Sequence, residues 1–426
     1  MATATYSVAT GASTLSGVWR KIQVGILTAF QYDVEEWGWL KRLKPLDVNW
    51  SSREITAELD VNQNYGAAAI SEGGKEARPS SVNTVTATIS WANYNKRFTI
   101  SKTSKFISQQ QGVKGQLVSQ LKWQGKGAVR ALHNKIGNHF WGFSTGIMAL
   151  QNGAISTDTV TMDSMHGIAG LGSTSHNWRC ADFFIAGDYV AFLNPSGPAL
   201  RTAGIVAIDT VDRSANTITG AAFSDVTTCT DNDYIVFAND VENTTLAGGT
   251  EYNKELVGIL DGLTSTSVHS VSGSTYPNWA SVAVSTSGRF DGVKLRKMKQ
   301  NIRNRGGGEM DTLIWSNGVE NDVTAQLQAS MRFDMPFSLE MDGQPVTKGV
   351  KILTSKRTPD GYVVGYDSSN SIGKMVLLPD PESGPAWDDL DKLQDDSGYV
   401  GSVDYPCQIV WTNRANTAYA SGQTQQ

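Results

Sequence analysis

The period of the apolar and polar positions changes several times along the chain, and each change marks an element. Residues 53–61 alternate strictly, with Ile55, Ala57, Leu59 and Val61 on one face and Glu54, Thr56, Glu58 and Asp60 on the other. Residues 82–100 alternate again, with Val85, Ala87, Ile89 and Trp91 on one face, until the apolar parity passes to Tyr94, Phe98 and Ile100. A parity switch inside one strand predicts a bulge or bend near Ala92–Asn93. Between the two runs lies a tip, Asn62 to Ser81, containing Gly66, Gly73, Gly74 and Pro79. The pattern predicts a long two-stranded ribbon that reaches about 30 Å at roughly 3.3 Å per residue. A ribbon of two strands is marginal in water unless something packs on it, so this one points to a neighbouring molecule.

Beyond the ribbon the period becomes helical. Across 106–148, Leu117, Leu121, Ala128, Leu132, Ile136, Phe140 and Phe143 recur at steps of three, four or seven, with Lys114, Lys122, Lys126 and Arg130 elsewhere on the wheel. Gly125, Gly127 and Gly137 interrupt this stripe, each costing about 1 kcal/mol relative to alanine. Either one long helix packs closely against backbone, or two shorter ones break near Gly125.

Residues 180–240 return to short strands. Asp188–Phe192 (DYVAF) is echoed by Asp233–Phe237 (DYIVF), and Gly204–Val211 with Asn216–Ala222 predicts a hairpin turning at Asp212–Ala215. This segment reads as an inserted antiparallel barrel or sandwich of four or five strands. From Tyr252 the pattern is mixed. It predicts a basic helix over 289–304 capped by Gly306–Gly308, a strand at Thr312–Trp315, a helix at Asn317–Met331 and three strands within 345–378. An acidic loop from Asp380 to Asp404, a last strand at Cys407–Trp411 and a polar tail complete it. The class is α+β.

Composition sharpens the picture at three points. The 426 residues suffice for two or three domains with their own cores. Twelve tryptophans lean towards contact surfaces. The net charge of −5 hides a segregation, because Ala77 to Thr157 holds ten basic residues and no Asp or Glu. A positive face suits packaged nucleic acid or an acidic patch on another copy, and the plain alternative is a solvated helix face. Lys114, Lys122, Lys126 and Arg130 carry the part of that positive face that lies on the helical segment. Three scattered cysteines (Cys180, Cys229, Cys407) fit a reducing compartment without structural zinc. No secretion signal is recognisable in residues 1–20, and the apolar run Val24–Phe30 is far too short to span a bilayer. Synthesis in the cytoplasm is the expectation.

Little in the sequence resembles catalytic machinery. Gly142–Gly146 (GFSTG) matches the nucleophile-elbow spacing, but that motif requires a strand before the serine and a helix after it, and here a helix precedes. His133 and His139 are six apart, off a common helical face, and His166 and His176 lie in a Gly/Ser loop where solvent-exposed or hydrogen-bonded roles are expected. Gly306–Gly308 lacks the lysine of a phosphate loop, and the carboxylates of 380–404 lack EF-hand spacing. No catalytic, cofactor-binding or metal residue is assigned, and no enzyme is expected. Lys75, beside Glu76 at the ribbon tip, could form an isopeptide bond to a neighbour's Asn only beside a buried carboxylate, and an ordinary salt bridge is the default.

The order of these elements resembles the major capsid proteins of tailed bacteriophages, whose fold is called the Hong Kong 97 type. The resemblance implies an N-terminal arm (1–50), an extended β-hairpin loop (51–105), a peripheral domain with a long spine helix (106–179), an inserted β domain (180–240), a peripheral continuation (241–288), an axial domain (289–400) and a closing strand with tail (401–426). Glu251–Asp261 (EYNKELVGILD) is similar to the stretch linking peripheral and axial domains in that family. The resemblance further implies a virion protein that forms pentamers and hexamers of an icosahedral shell around double-stranded DNA. Its partners would be its own copies, a separate scaffolding protein, a portal and a decoration protein, with no membrane. Tyr65, Lys75, Glu76 and Arg78 would make inter-subunit contacts at the loop tip, and Lys114, Lys122, Lys126 and Arg130 would line the inner, DNA-facing surface. A tail-tube or adhesin subunit is the other structural reading.

Overall fold

The computed structural model describes residues 35–45, 54–62, 69–72, 74–76, 83–101, 114–153, 155, 158–169, 171, 179–221, 223, 229–239, 249–330, 338–339, 345–346, 349–376, 386–387, 391–392 and 398–425. The chain forms two compact units. One comprises Met1–Pro45, Ala92–Asn138 and Met375–Cys407, and the other Leu46–Trp91, His139–Lys374 and Gln408–Gln426.

In the first unit the organising pair is antiparallel: Ala92–Ser101 runs against the strand Gly398–Trp411, in register from Gly398↔Ser101 to Cys407↔Ala92. Tyr94, Phe98 and Ile100 turn inward, as their parity predicts. The parity switch therefore marks a strand break at Trp91, and Ala92–Ser101 leaves the ribbon for another sheet. The acidic loop is likewise shorter than the sequence suggests. Ala386–Trp387 and Asp391–Lys392 pair with the same long strand, which begins at Gly398 rather than at Cys407. The long helix is continuous from Lys114 to Phe140 and buries Ala128, Val129, Leu132 and Ile136. It does not break at Gly125. Close packing does not explain Gly127, because a Cβ there would meet nothing within 4 Å.

The second unit contains the ribbon, Glu54–Asn62 against Asn83–Ser90. Its largest sheet has seven strands in the order 200–207, 189–193, 234–238, 147–151, 159–163, 217–219, 210–212. The two echoed segments are adjacent strands here, with Ile235 opposite Phe192 and Phe237 opposite Val190. Ile147–Gln151 and Thr159–Asp163 belong to this sheet, so it begins well upstream of residue 180. Met148, Val160, Phe184, Phe192, Ile218 and Ile235 form its core.

A second, five-stranded sheet of this unit carries the basic helix Gly292–Gly306 and the helix Asn317–Ser330, with Leu295, Met298, Ile302, Trp315 and Val319 in one core. Asp291 caps the basic helix by accepting from the Lys294 amide at 2.8 Å, and Gly307 ends it at φ 71°, in the left-handed region glycine favours. The chain end is not a plain polar tail: Thr417–Ala420 pairs with both Val363–Tyr366 and Val282–Ser285 inside this sheet. Trp141, Trp315 and Trp411 are fully buried, so these tryptophans serve cores rather than surfaces.

Candidate functional site

The ribbon sorts its residues by face. Ile55↔Ile89, Ala57↔Ala87 and Leu59↔Val85 are cross-strand apolar pairs, whereas Glu54↔Ser90, Thr56↔Thr88, Glu58↔Thr86 and Asp60↔Thr84 form the polar face. Burial fades along it. Ala87 and Ile89 are buried near the base, and Leu59 and Val85 farther out are only half-buried. At the tip Gly74 closes a turn on the Ser71 carbonyl at 2.8 Å, and Ile70 is 55% exposed beside exposed Lys75 and Glu76. Tyr65 and Arg78 lie outside the described residues.

The base of the ribbon is anchored by named groups. The Thr88 amide donates to the His269 carbonyl at 3.0 Å, and the Gln408 side-chain amide donates to the Ser90 carbonyl at 2.7 Å. His269 also accepts from the Trp411 amide through Nε2 at 3.2 Å, so its imidazole must be neutral at that nitrogen. Burial pushes its pKa down to about 4, against an opposing pull from Asp261 and with a further push down from Arg414. Arg414 is buried as well. It donates to the carbonyls of Gly262 and Ser265 at 2.6 and 2.8 Å and stacks 4.9 Å over Trp279. Sequence reasoning misses His269 and Arg414, because a lone histidine or arginine carries no spacing signal.

The Glu251–Asp261 segment is the second anchor. The Asn253 amide bonds the Thr145 carbonyl at 3.1 Å, the Leu260 amide bonds the Trp141 carbonyl at 3.2 Å, and the Val257 amide bonds Gln408 Oε1 at 2.8 Å. The approach needs glycine: a Cβ at Gly258 would lie 2.4 Å from the Gly142 carbonyl and 2.8 Å from those of His139 and Phe140. Here also sits the one titratable cluster with metal-ligand character among the described residues, His139, Glu251 and Glu255, whose donor atoms lie within 4.8 Å of one another. His139 Nδ1 and Glu255 Oε2, both buried, stand 3.4 Å apart. His133 and His166 are buried rather than solvent-exposed; His176 lies outside the described residues.

Ser144 sits in a turn between the end of a helix and the start of a strand, the reverse of a nucleophile elbow, and its amide donates to Asp261 at 3.0 Å. Of the four expected inner-surface cations, Arg130 is exposed and Lys126 half-buried on the long helix. Lys114 and Lys122 lie on the same helix, with side chains outside the described set. All three cysteines are buried free thiols. No helix among the described residues is long and apolar enough to cross a membrane.

No family model and no curated protein matches the sequence. The fold does have solved relatives. The chain is similar to the capsid asymmetric unit of cyanophage A-1(L), at a TM-score of 0.51 and 12% identity, over 91% of this chain and 92% of that one. It aligns more loosely with the capsid of the native GTA particle (TM-score 0.41, 8% identity, 90% of each chain) and with Gordonia phage Cozz (0.40, 9%, 90% and 85%). The chain has the mixed α/β fold of a phage capsid protein.

Proposed function

We propose that this chain is the major head protein of a tailed bacteriophage, built on the Hong Kong 97 plan, and that its copies close into pentamers and hexamers of a shell around double-stranded DNA. The observation that carries the reading is the ribbon: an amphipathic two-stranded arm, fixed at its base and left half-covered farther out, within a fold similar to that of a cyanophage capsid subunit over 91% of this chain. Such an arm completes its burial only on a neighbour, which couples ordering of the arm to assembly. The exposed Arg130 and the other cations of the long helix fit contact with DNA phosphates without sequence reading. The protein acts by self-contact and not by catalysis. A scaffolding protein, a portal and a decoration protein complete the expected set of partners.

Electron microscopy of the purified chain, alone and co-expressed with candidate scaffolding protein, tests this. Uniform closed shells support it. Tubes, fibres or isolated small rings under all conditions would move the assignment to a tail-tube or adhesin subunit.

A further inference from the structure

The basic helix Gly292–Gly306 presents a second surface that neither the fold nor the ribbon explains. Leu295, Met298 and Ile302 bury one side against the five-stranded sheet. The opposite stripe, at helical steps of three, four and seven, is Val293, Arg296, Lys297, Gln300 and Arg303, all exposed, with exposed Arg305 beyond. Two neighbouring cations already have structural work. Lys294 donates to the Ser287 carbonyl and to Gln423 at 2.7 Å each, and Arg289 lies 3.5 Å from buried Asp322. Arg296, Lys297, Arg303 and Arg305 have no ion pair among the described residues. Arg303 and Arg305 in the last turn complement the helix dipole, but Arg296 and Lys297 in the middle gain nothing from it. The like-charge pairs Lys294/Lys297, Arg296/Lys299 and Lys299/Arg303, three or four apart on the helix, oppose it. A cationic stripe kept against that repulsion, with no ion pair among the described residues, suits an anionic partner.

Val293 decides which kind. At 58% exposed it is among the most exposed large apolar residues described, and it sits one turn from Arg296 and Lys297. An apolar knob within a cationic stripe is wasted on a phosphate backbone and useful against a protein surface that mixes acids with apolar groups. The sequence of this chain supplies a segment of that chemistry. Residues 380–396 hold seven carboxylates against the single Lys392, interleaved with Trp387, Leu390 and Leu393. We infer that the Val293–Arg303 stripe of one copy docks the acid-rich 380–396 segment of the next. Two different, complementary segments of one chain make a head-to-tail contact, and a head-to-tail contact that closes makes rings. The inference rests on the shell reading and names the charge pairing within its capsomers.

Three proteins test it: the face reversal Arg296→Glu/Lys297→Glu, the segment reversal Asp388→Lys/Asp389→Lys, and the chain carrying all four substitutions. Each reversal alone should keep the wild-type circular dichroism and melting temperature, yet lose ring and shell formation by at least about tenfold in sedimentation at low salt. Co-expressing the two reversals should restore even-membered rings only, because each contact then needs one partner of each kind. The fourfold chain should restore all. Should the reversals aggregate, Arg296→Gln/Lys297→Gln gives the same reading through weakened assembly. Wild-type shells with indifferent variants would overturn the inference and leave the shell reading standing. Rescue by the fourfold chain without rescue by co-expression would also overturn it, placing the contact within one subunit. Shells that form normally but retain less DNA would assign the stripe to nucleic acid instead. A wild type that never assembles under any condition would fail the shell reading itself.

Discussion

At the scale of single residues, the outcome of a substitution depends on what the new atoms meet. Gly127 and Gly258 are both glycines near helical segments, but their surroundings are opposite. Gly127→Ala adds a methyl into open space on an exposed helix position and should stabilise the protein by about 1 kcal/mol through helix propensity. Gly258→Ala drives a methyl into three backbone carbonyls that cannot retreat, and should cost about 3 kcal/mol or more. Chemical denaturation of both variants measures the contrast; equal effects would show that the Glu251–Asp261 segment does not approach the helix end as described. Histidines supply the pH dependence. His269 and His166 are held neutral, each pushed down to about 4 mainly by burial. Both values lie below the ordinary 6.5, so the unfolded chain binds protons first as pH falls. Their contribution is therefore fully present above about pH 6.5 and is lost towards pH 4, at about 1.4 kcal/mol per pH unit for each histidine. Thermal melts across that window should show the decline, and His269→Gln, which retains an acceptor for the Trp411 amide, should flatten part of it. An unchanged slope in that variant would remove His269 from the account.

Among the elements, the ribbon is the most informative. Its base is tied by Thr88 to His269 and by Ser90 to Gln408, so the tip can be removed without touching the anchor. Replacing residues 63–82 by an Asn-Gly turn, which suits a two-residue hairpin, should leave a soluble subunit with native circular dichroism that forms no closed shells. Normal shells from that chain would refute the role given to the arm. The ribbon is legible in the sequence because strict alternation over Ile55–Val61 and Val85–Ile89 has no helical counterpart. The turn before Asn216 and the cap at Gly307 are legible for local reasons of the same kind. Partners in space are not. That Ala92–Ser101 pairs with Gly398–Cys407, that the 147–163 strands join the 189–238 strands, and that Thr417–Ala420 enters a sheet all depend on pairings across long stretches of chain. The anchor residues His269, Gln408 and Arg414 escape notice for the same reason: each matters only through a residue far along the chain.

For the whole molecule, the account is one of unfinished surfaces. The ribbon tip leaves Ile70, Lys75 and Glu76 in solvent, and the basic helix leaves Val293, Arg296 and Lys297 uncovered. On the proposed shell reading, surfaces of this kind are completed by copies of the same chain, arranged with the closed symmetry that identical subunits require. Electrostatic contacts among them are screened by salt, so assembly should weaken as ionic strength rises while each subunit's own stability changes little. Light scattering against salt, run beside thermal melts, separates the two; parallel loss of both would mean that the charges serve the fold and not the contacts. The central claim is that the chain builds a shell, and negative-stain electron microscopy of the purified protein, with and without a scaffolding partner, tests it most directly. The account predicts closed polyhedral particles of uniform size, and a protein that remains monomeric or forms only open tubes in every condition would contradict it.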